Sequence, residues 1–289
     1  MKRLAVINDL SGVGRSSLAI ELPVISALHV QACPVPTRIL SNHTGFSHVF
    51  TPDSVPSLKN YFHAWTENGF YMDGLLAGYL GHPDQADEIL HYISSLRETA
   101  AVAEMQRPVL LLDPVMGDHG KLYKNMDDRY VTAARKLMAE ADISFPNLTE
   151  ASLIADCDYE ALQETLLSCQ SDAGRAMVLH AVFSELQNYT KGSIVITGIE
   201  DGETLINAYS DKDGEMLFFR NKKAGQNRPG TGDLFSAIVS AEYLNGISLQ
   251  ESIPKAGRFI ADAIAYSEKQ NIPVMQGVQF EDLLENLYI

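Results

Sequence analysis

The chain has 289 residues, of which 46% are apolar and 20% charged, and its formal net charge is −15. That length and apolar fraction give room for one large α/β domain or two small ones with a sizeable core, and exclude a disordered chain. The acidic balance repels phosphate backbones and anionic lipids, so nucleic acid and membrane are poor partners, and an anionic ligand must be held by local amides, a few cations or a metal ion.

In chain order, residues 4–7 read as a buried strand, followed by a helix through residues 19–22 and a second strand at 34–40. Residues 53–67 have helical periodicity, 72–80 return to a strand and turn, and 84–98 are helical again. Residues 109–113 form the clearest buried strand and end on a carboxylate; a helix at 127–140 and a short strand at 142–145 follow. Another buried strand spans 193–197, and the apolar runs 205–210 and 216–220 flank a turn at Asp213-Gly214, as in an antiparallel hairpin. Helices at 233–244 and 249–269 come last. Strands alternating with helices predict an α/β fold: a central, mostly parallel sheet with helices on both faces and an antiparallel edge hairpin. With no linker or repeat, residues 1–289 read as a single domain.

Cys33, Cys157 and Cys169 form no CxxC pair and no metal-ligand spacing, so they read as buried structural thiols in a reducing cytoplasm. MKRLAVINDL begins a strand without a signal-peptide core, and no apolar run reaches about 18 residues, which predicts a soluble cytoplasmic protein.

In such sheets ligands bind beyond the carboxyl ends of the strands, so the polar residues there carry the chemistry: Asn8-Asp9, residues 41–44, Tyr79, Asp113, Asn147 and Thr197. In Gly230-Thr231-Gly232-Asp233 the glycines permit a tight turn into a helix that starts near Gly232 or Asp233. Its first amides can bind phosphate, and Asp233 beside them suits a general base; the alternative is an Asp that only caps the helix. Asp113-Pro114-Val115-Met116-Gly117-Asp118 offers two carboxylates that can hold Mg²⁺ through water, or else are solvated acids of a turn. Asn147 and Glu150 share a helical face and can order metal-bound water, or form an ordinary capping box. The stretch Asn8 to Ser17 imitates a dinucleotide loop, but position 17 is Ser where a third Gly is required, and no acidic residue ends the second strand. Ser11 suits a small-molecule pocket better. His43, in Ser41-Asn42-His43-Thr44-Gly45-Phe46, has no orienting partner in the sequence and reads as structural.

Taken together, in this order and over nearly the whole chain, these segments resemble the pyridoxal kinase branch of the ribokinase-like superfamily. The resemblance implies that fold in three layers and an ATP-dependent phosphorylation of the 5′-hydroxymethyl group of pyridoxal, pyridoxine or pyridoxamine. It implies Gly230, Thr231 and Gly232 as an anion hole with Asp233 as base, and Ser11, Thr44 and Tyr79 lining the vitamer pocket with Asp233. Asp113, Asp118 and Tyr123 would sit by the phosphates and the covering loop, and Thr197 by ATP. Mg²⁺ and its waters would be ordered by Asn147 and Glu150 together with Asp113. A monovalent cation such as K⁺ and a homodimer are further implications. This chain departs from relatives at Phe145 (Thr in several), at Gly198 (Ser in some) and in its Gly12-Val13-Gly14 loop. The alternatives are a hydroxymethylpyrimidine kinase, whose branch usually has Cys at the position of Asp233 and lacks the Ser41–Gly45 loop, and a non-catalytic pyridoxal-phosphate-binding protein.

Overall fold

The structure, a computed structural model, describes residues 1–210 and 216–288. The first half runs β1 (Arg3–Ser11), α1 (Leu18–Ala27), β2 (Gln31–Leu40), α2 (Leu58–Glu67), β3 (Gly74–Ala77), α3 (Gln85–Val102), β4 (Val109–Leu112), β5 (Gly117–Asp118), β6 (Lys121–Leu122) and α4 (Asp128–Glu140). It continues through β7 (Ile143–Ser144), α5 (Leu148–Ala155), α6 (Tyr159–Ser168), α7 (Asp172–Gln187), β8 (Ser193–Asp201), β9 (Thr204–Ser210), β10 (Met216–Lys222), α8 (Thr231–Leu244) and α9 (Leu249–Lys269).

Eight strands form one sheet in the order β10-β9-β8-β7-β4-β3-β1-β2. From β2 to β8 every neighbouring pair is parallel, and β9 and β10 extend the sheet antiparallel to an edge. The period-two pleat sends alternate residues to opposite faces. Ala5, Ile7, Leu75, Leu110 and Ile194 join the core under α2 to α7, while Leu4, Val6, Leu76, Leu111 and Val195 join the core under α1, α8 and α9. Both faces are therefore covered, which is why the central strands read as unbroken apolar runs. The expected α/β class, three-layer arrangement and edge hairpin are all present; the turn at Asp213-Gly214 lies outside the described residues.

Three local expectations change. The helix expected over 53–67 starts at Leu58, because Pro52 and Pro56 keep the chain extended until the Ser57 hydroxyl accepts the Asn60 N–H at 3.3 Å. Helices α6 and α7 fill a stretch to which the sequence reading assigned nothing. The cysteines are not buried: Cys33 and Cys169 are half-buried and Cys157 is exposed. Cys33 lies on the edge strand β2, and Cys157 follows the left-handed residue that ends α5, so neither position is enclosed. Among the described residues no helix is long and apolar enough to cross a membrane.

Candidate active site

A cleft of about 910 Å³ opens beyond the carboxyl ends of β1, β3, β4, β7 and β8. Thr44, Tyr79, Asp113, Asp118, Tyr123, Asn147, Glu150, Thr197 and the run Gly230 to Asp233 all line it. Ser11 does not. It is buried behind Asp9, donating its hydroxyl to Asp9 Oδ2 at 2.9 Å, and Asp9 is the residue that β1 presents to the cleft.

The turn into α8 is set by Gly230, whose φ is +87° and whose place a side chain cannot take, since a Cβ would lie 2.3 Å from the Arg15 carbonyl oxygen. Gly230 is the N-cap, so α8 begins at Thr231, earlier than the sequence suggests, and no side chain caps it. The first helical amides thus keep their partial positive charge for a ligand. Asp233 stands at the third helical position, not at the cap. Its Oδ2 accepts the Ser17 N–H at 2.7 Å from the start of α1, so the reading of Asp233 as a mere cap of its own helix does not hold.

Four more acids crowd the same floor. Burial, then the charge of Asp233, pushes the Asp113 carboxyl up to about 7, with the Ser236 hydroxyl opposing. Asp233 itself is raised by burial to about 6, against the Ser17 N–H, which holds it down. Burial also raises Asp9, although Ser17 and Ser11 both donate to it. Glu21 and Glu150 are raised well above the usual carboxylate range, first by burial and then by Asp233 and Asp113 respectively. Such a floor repels a polyphosphate unless protons or a cation neutralise it.

At the head of α5 the capping box that the spacing allowed is formed. Asn147 Oδ1 accepts the Glu150 N–H at 2.9 Å, and Glu150 Oε2 accepts the Asn147 N–H at 2.9 Å. Glu150 Oε1 accepts the Met116 N–H at 3.2 Å, and Asn147 Nδ2 donates to the Gly117 carbonyl at 2.9 Å, tying α5 to the β5–β6 flap. Among the described residues no group of three His, Cys, Asp or Glu side chains is spaced to cage a metal. Asp113 with Glu150, each retaining unused lone pairs, fits a Mg²⁺ carried mostly by water and phosphate oxygens, not an all-protein site.

On the opposite wall His43 is held on both nitrogens: Nε2 lies 2.5 Å from the Met275 carbonyl, and Nδ1 accepts the Gly45 N–H at 3.2 Å. These two contacts make Nε2 the protonated nitrogen, and they anchor the loop that carries Thr44. A Cβ on Gly14 would lie 2.5 Å from His43 Cδ2, so the glycine-rich 12–14 loop makes room for this ring. Phe145 packs edge-on against Phe235, with ring centroids 6.1 Å apart, as part of the core under α8. Gly198 occupies a bulge in β8 with φ +69°, a backbone that disfavours a Ser at that position.

The profile of the family described as phosphomethylpyrimidine kinase matches residues 21–278. The chain belongs to that family. Pyridoxal kinase from Lactobacillus plantarum is 29% identical and superimposes with a TM-score of 0.85 over 99% of this chain and 96% of its own. The pyridoxine/pyridoxal/pyridoxamine kinase of Bordetella avium is 26% identical over 66% of this chain. A hydroxymethylpyrimidine/phosphomethylpyrimidine kinase of Staphylococcus aureus is 24% identical over 88% of this chain and 84% of its length. The chain spans 59% of the length of the Bordetella protein and 58% of a Schizosaccharomyces pombe relative. The pyridoxal-kinase resemblance and the ribokinase-like fold agree with these likenesses.

Sequence reasoning missed three residues at or just behind the cleft floor. Asp9 was noticed only as a polar strand end, Ser17 only as a failed glycine, and Glu21 only as part of a helix. The adjacent Asn8-Asp9 pair after an apolar strand was the available signal for the first. Nothing local marks Ser17, whose N–H bonds Asp233 and whose hydroxyl bonds Asp9.

Proposed function

We propose that this chain transfers the γ-phosphoryl group of ATP to the 5′-hydroxymethyl of a vitamin B6 vitamer. The observation that carries this reading is Asp233, half-buried beside helix amides that no side chain caps, in one cleft with Thr44 and Tyr79. The amides of Gly232 and Asp233 stabilise charge that develops on the phosphoryl oxygens, and the Asp233 carboxylate accepts the hydroxyl proton as the O–P bond forms. Tyr79 stays a neutral phenol, pushed up to about 12 by burial, and so can donate a hydrogen bond to the vitamer without adding charge. Leu205, Ile260 and Ile264 give the cleft an apolar end suited to a nucleobase. Mg²⁺, when bound, supplies neutralisation of the phosphates; Asp113, Asn147 and Glu150 are the residues that would hold it and its waters.

A vitamer is favoured over a pyrimidine because position 233 is Asp and because the Ser41–Gly45 loop is present. Turnover with ATP of pyridoxal, pyridoxine, pyridoxamine and hydroxymethylpyrimidine, compared as kcat/KM, tests the reading. At least one vitamer should exceed the pyrimidine by about tenfold or more, roughly the discrimination expected of a few pocket contacts. Equal or higher kcat/KM for the pyrimidine would overturn it.

A further inference from the structure

The deepest acid in the molecule has no part in the chemistry above. Glu21 lies on α1 with no exposed surface, against Asn8 near the carboxyl end of β1. Its Oε1 accepts the Asn8 Nδ2 at 3.0 Å, and its Oε2 has no partner. A buried carboxyl is retained at a cost unless its partner needs it, so the informative question is what Asn8 does.

Asn8 is a three-way joint. Its Oδ1 accepts the N–H of Asp9 at 2.9 Å and the N–H of Tyr79 at 3.0 Å. Because both are backbone donors, the amide has one possible orientation, and its Nδ2 must find acceptors on the α1 side. The Nδ2 donates to Glu21, on the side from which Asn8 also helps hold the Asp233 carboxyl down against burial. The joint is closed from behind: a Cβ on Gly78 would lie 2.5 Å from Asn8 Nδ2, so the amide cannot retreat. One acceptor on α1 therefore fixes an amide that sets the β1 end bearing Asp9 and the turn bearing Tyr79, on either side of Asp233.

We infer that Glu21 is a positioning residue of the phosphoryl-transfer site, acting as the hydrogen-bond acceptor for Asn8, whose amide registers Asp9 and Tyr79 around Asp233 and the vitamer's hydroxymethyl group. This rests on the reading of the cleft as a vitamer kinase. Its surroundings disfavour charge: burial first, then Asp233, Asp113 and Asp9 raise its carboxyl, and Asn8 opposes.

The test compares Glu21→Met and Glu21→Gln with the wild-type chain, using ATP and pyridoxal. Met has nearly the volume of Glu but offers Asn8 no acceptor; Gln keeps an acceptor oxygen and cannot ionise. Glu21→Met should fold and lower kcat by about tenfold or more, with KM for ATP within about twofold, the pattern of a misplaced reacting group. Glu21→Gln should recover kcat to within about threefold of wild type and keep the acid limb of the pH–rate profile in place. Wild-type kcat in a folded Glu21→Met chain would overturn the assignment. So would a Glu21→Gln chain as slow as Glu21→Met, which would make the ionisable proton the functional feature, or a Glu21→Met chain that cannot fold, which would make Glu21 a core requirement. Absence of vitamer turnover by the wild-type chain would instead overturn the functional reading itself.

Discussion

Two helices begin at the same cleft with an acid at the same third position, and they use it in opposite ways. At α5 the N-cap is Asn147, and Glu150 turns back to the cap's own N–H, closing the helix end upon itself. At α8 the N-cap is Gly230, which has no side chain to offer, and Asp233 reaches away to the Ser17 N–H of α1. The residue at the cap decides whether a helix N-terminus is spent on its own stability or left open to a ligand. It also decides what the nearby acid is for: Glu150 secures the flap through Met116, whereas Asp233 stands beside free amides.

The largest effect that follows is on Asp233. In Asp233→Asn the amide oxygen still accepts the Ser17 N–H, so the thermal melt should be unchanged while kcat falls by about 10²–10⁴. A folded variant keeping more than about a tenth of wild-type kcat would place the proton's exit elsewhere. Gly230→Ala should come next, because its Cβ meets the Arg15 carbonyl and its φ is left-handed. A loss of about 1–3 kcal/mol in denaturant unfolding is expected, together with weaker ATP binding. An unchanged unfolding curve would show that the turn can relax without glycine.

Smaller effects sharpen the other half of the comparison. Asn147→Ala removes a cap worth about 1 kcal/mol and should lower the melting temperature by about 2 °C, with a modest effect on kcat. A loss of kcat as large as that of Asp233→Asn would give Asn147 a part in the chemistry. The pH dependence of the ligand-free chain tests the acidic floor itself. Asp113 is raised from 3.8 to about 7, so the folded state binds its proton more tightly than the unfolded state does. That contribution is complete below the unfolded value and is lost as pH rises through about 7, so the melting temperature should fall across that window. Asp113→Asn should flatten the fall; an unaltered slope would assign it to another acid of the floor.

The fold was legible because the two strongest signals, unbroken apolar strands and the antiparallel pair near the end, reflect a sheet covered on both faces. The α6–α7 stretch was less so: its helices carry scattered small and polar residues and no glycine or proline punctuation that separates them. Within the site, Asp233, Asp113 and Thr44 were readable as polar residues at strand ends or glycine turns. The structure placed Ser11 one layer back because a hydroxyl beside Asp9 is drawn to that carboxylate. Glu21 and Ser17 were not readable, since their parts depend on contacts between α1 and the distant residues Asn8 and Asp233.

The contrast between the two helix ends is tested most directly by titrating Mg²⁺ against kcat in Asp233→Asn and Glu150→Gln, side by side with wild type, at saturating ATP and pyridoxal. Glu150→Gln should need more Mg²⁺ for half-maximal rate and return toward the wild-type plateau at saturation. Asp233→Asn should keep the wild-type midpoint and remain on a plateau about 10²-fold or more lower. Two variants with the same midpoint and the same plateau would contradict the division of labour between the two acids.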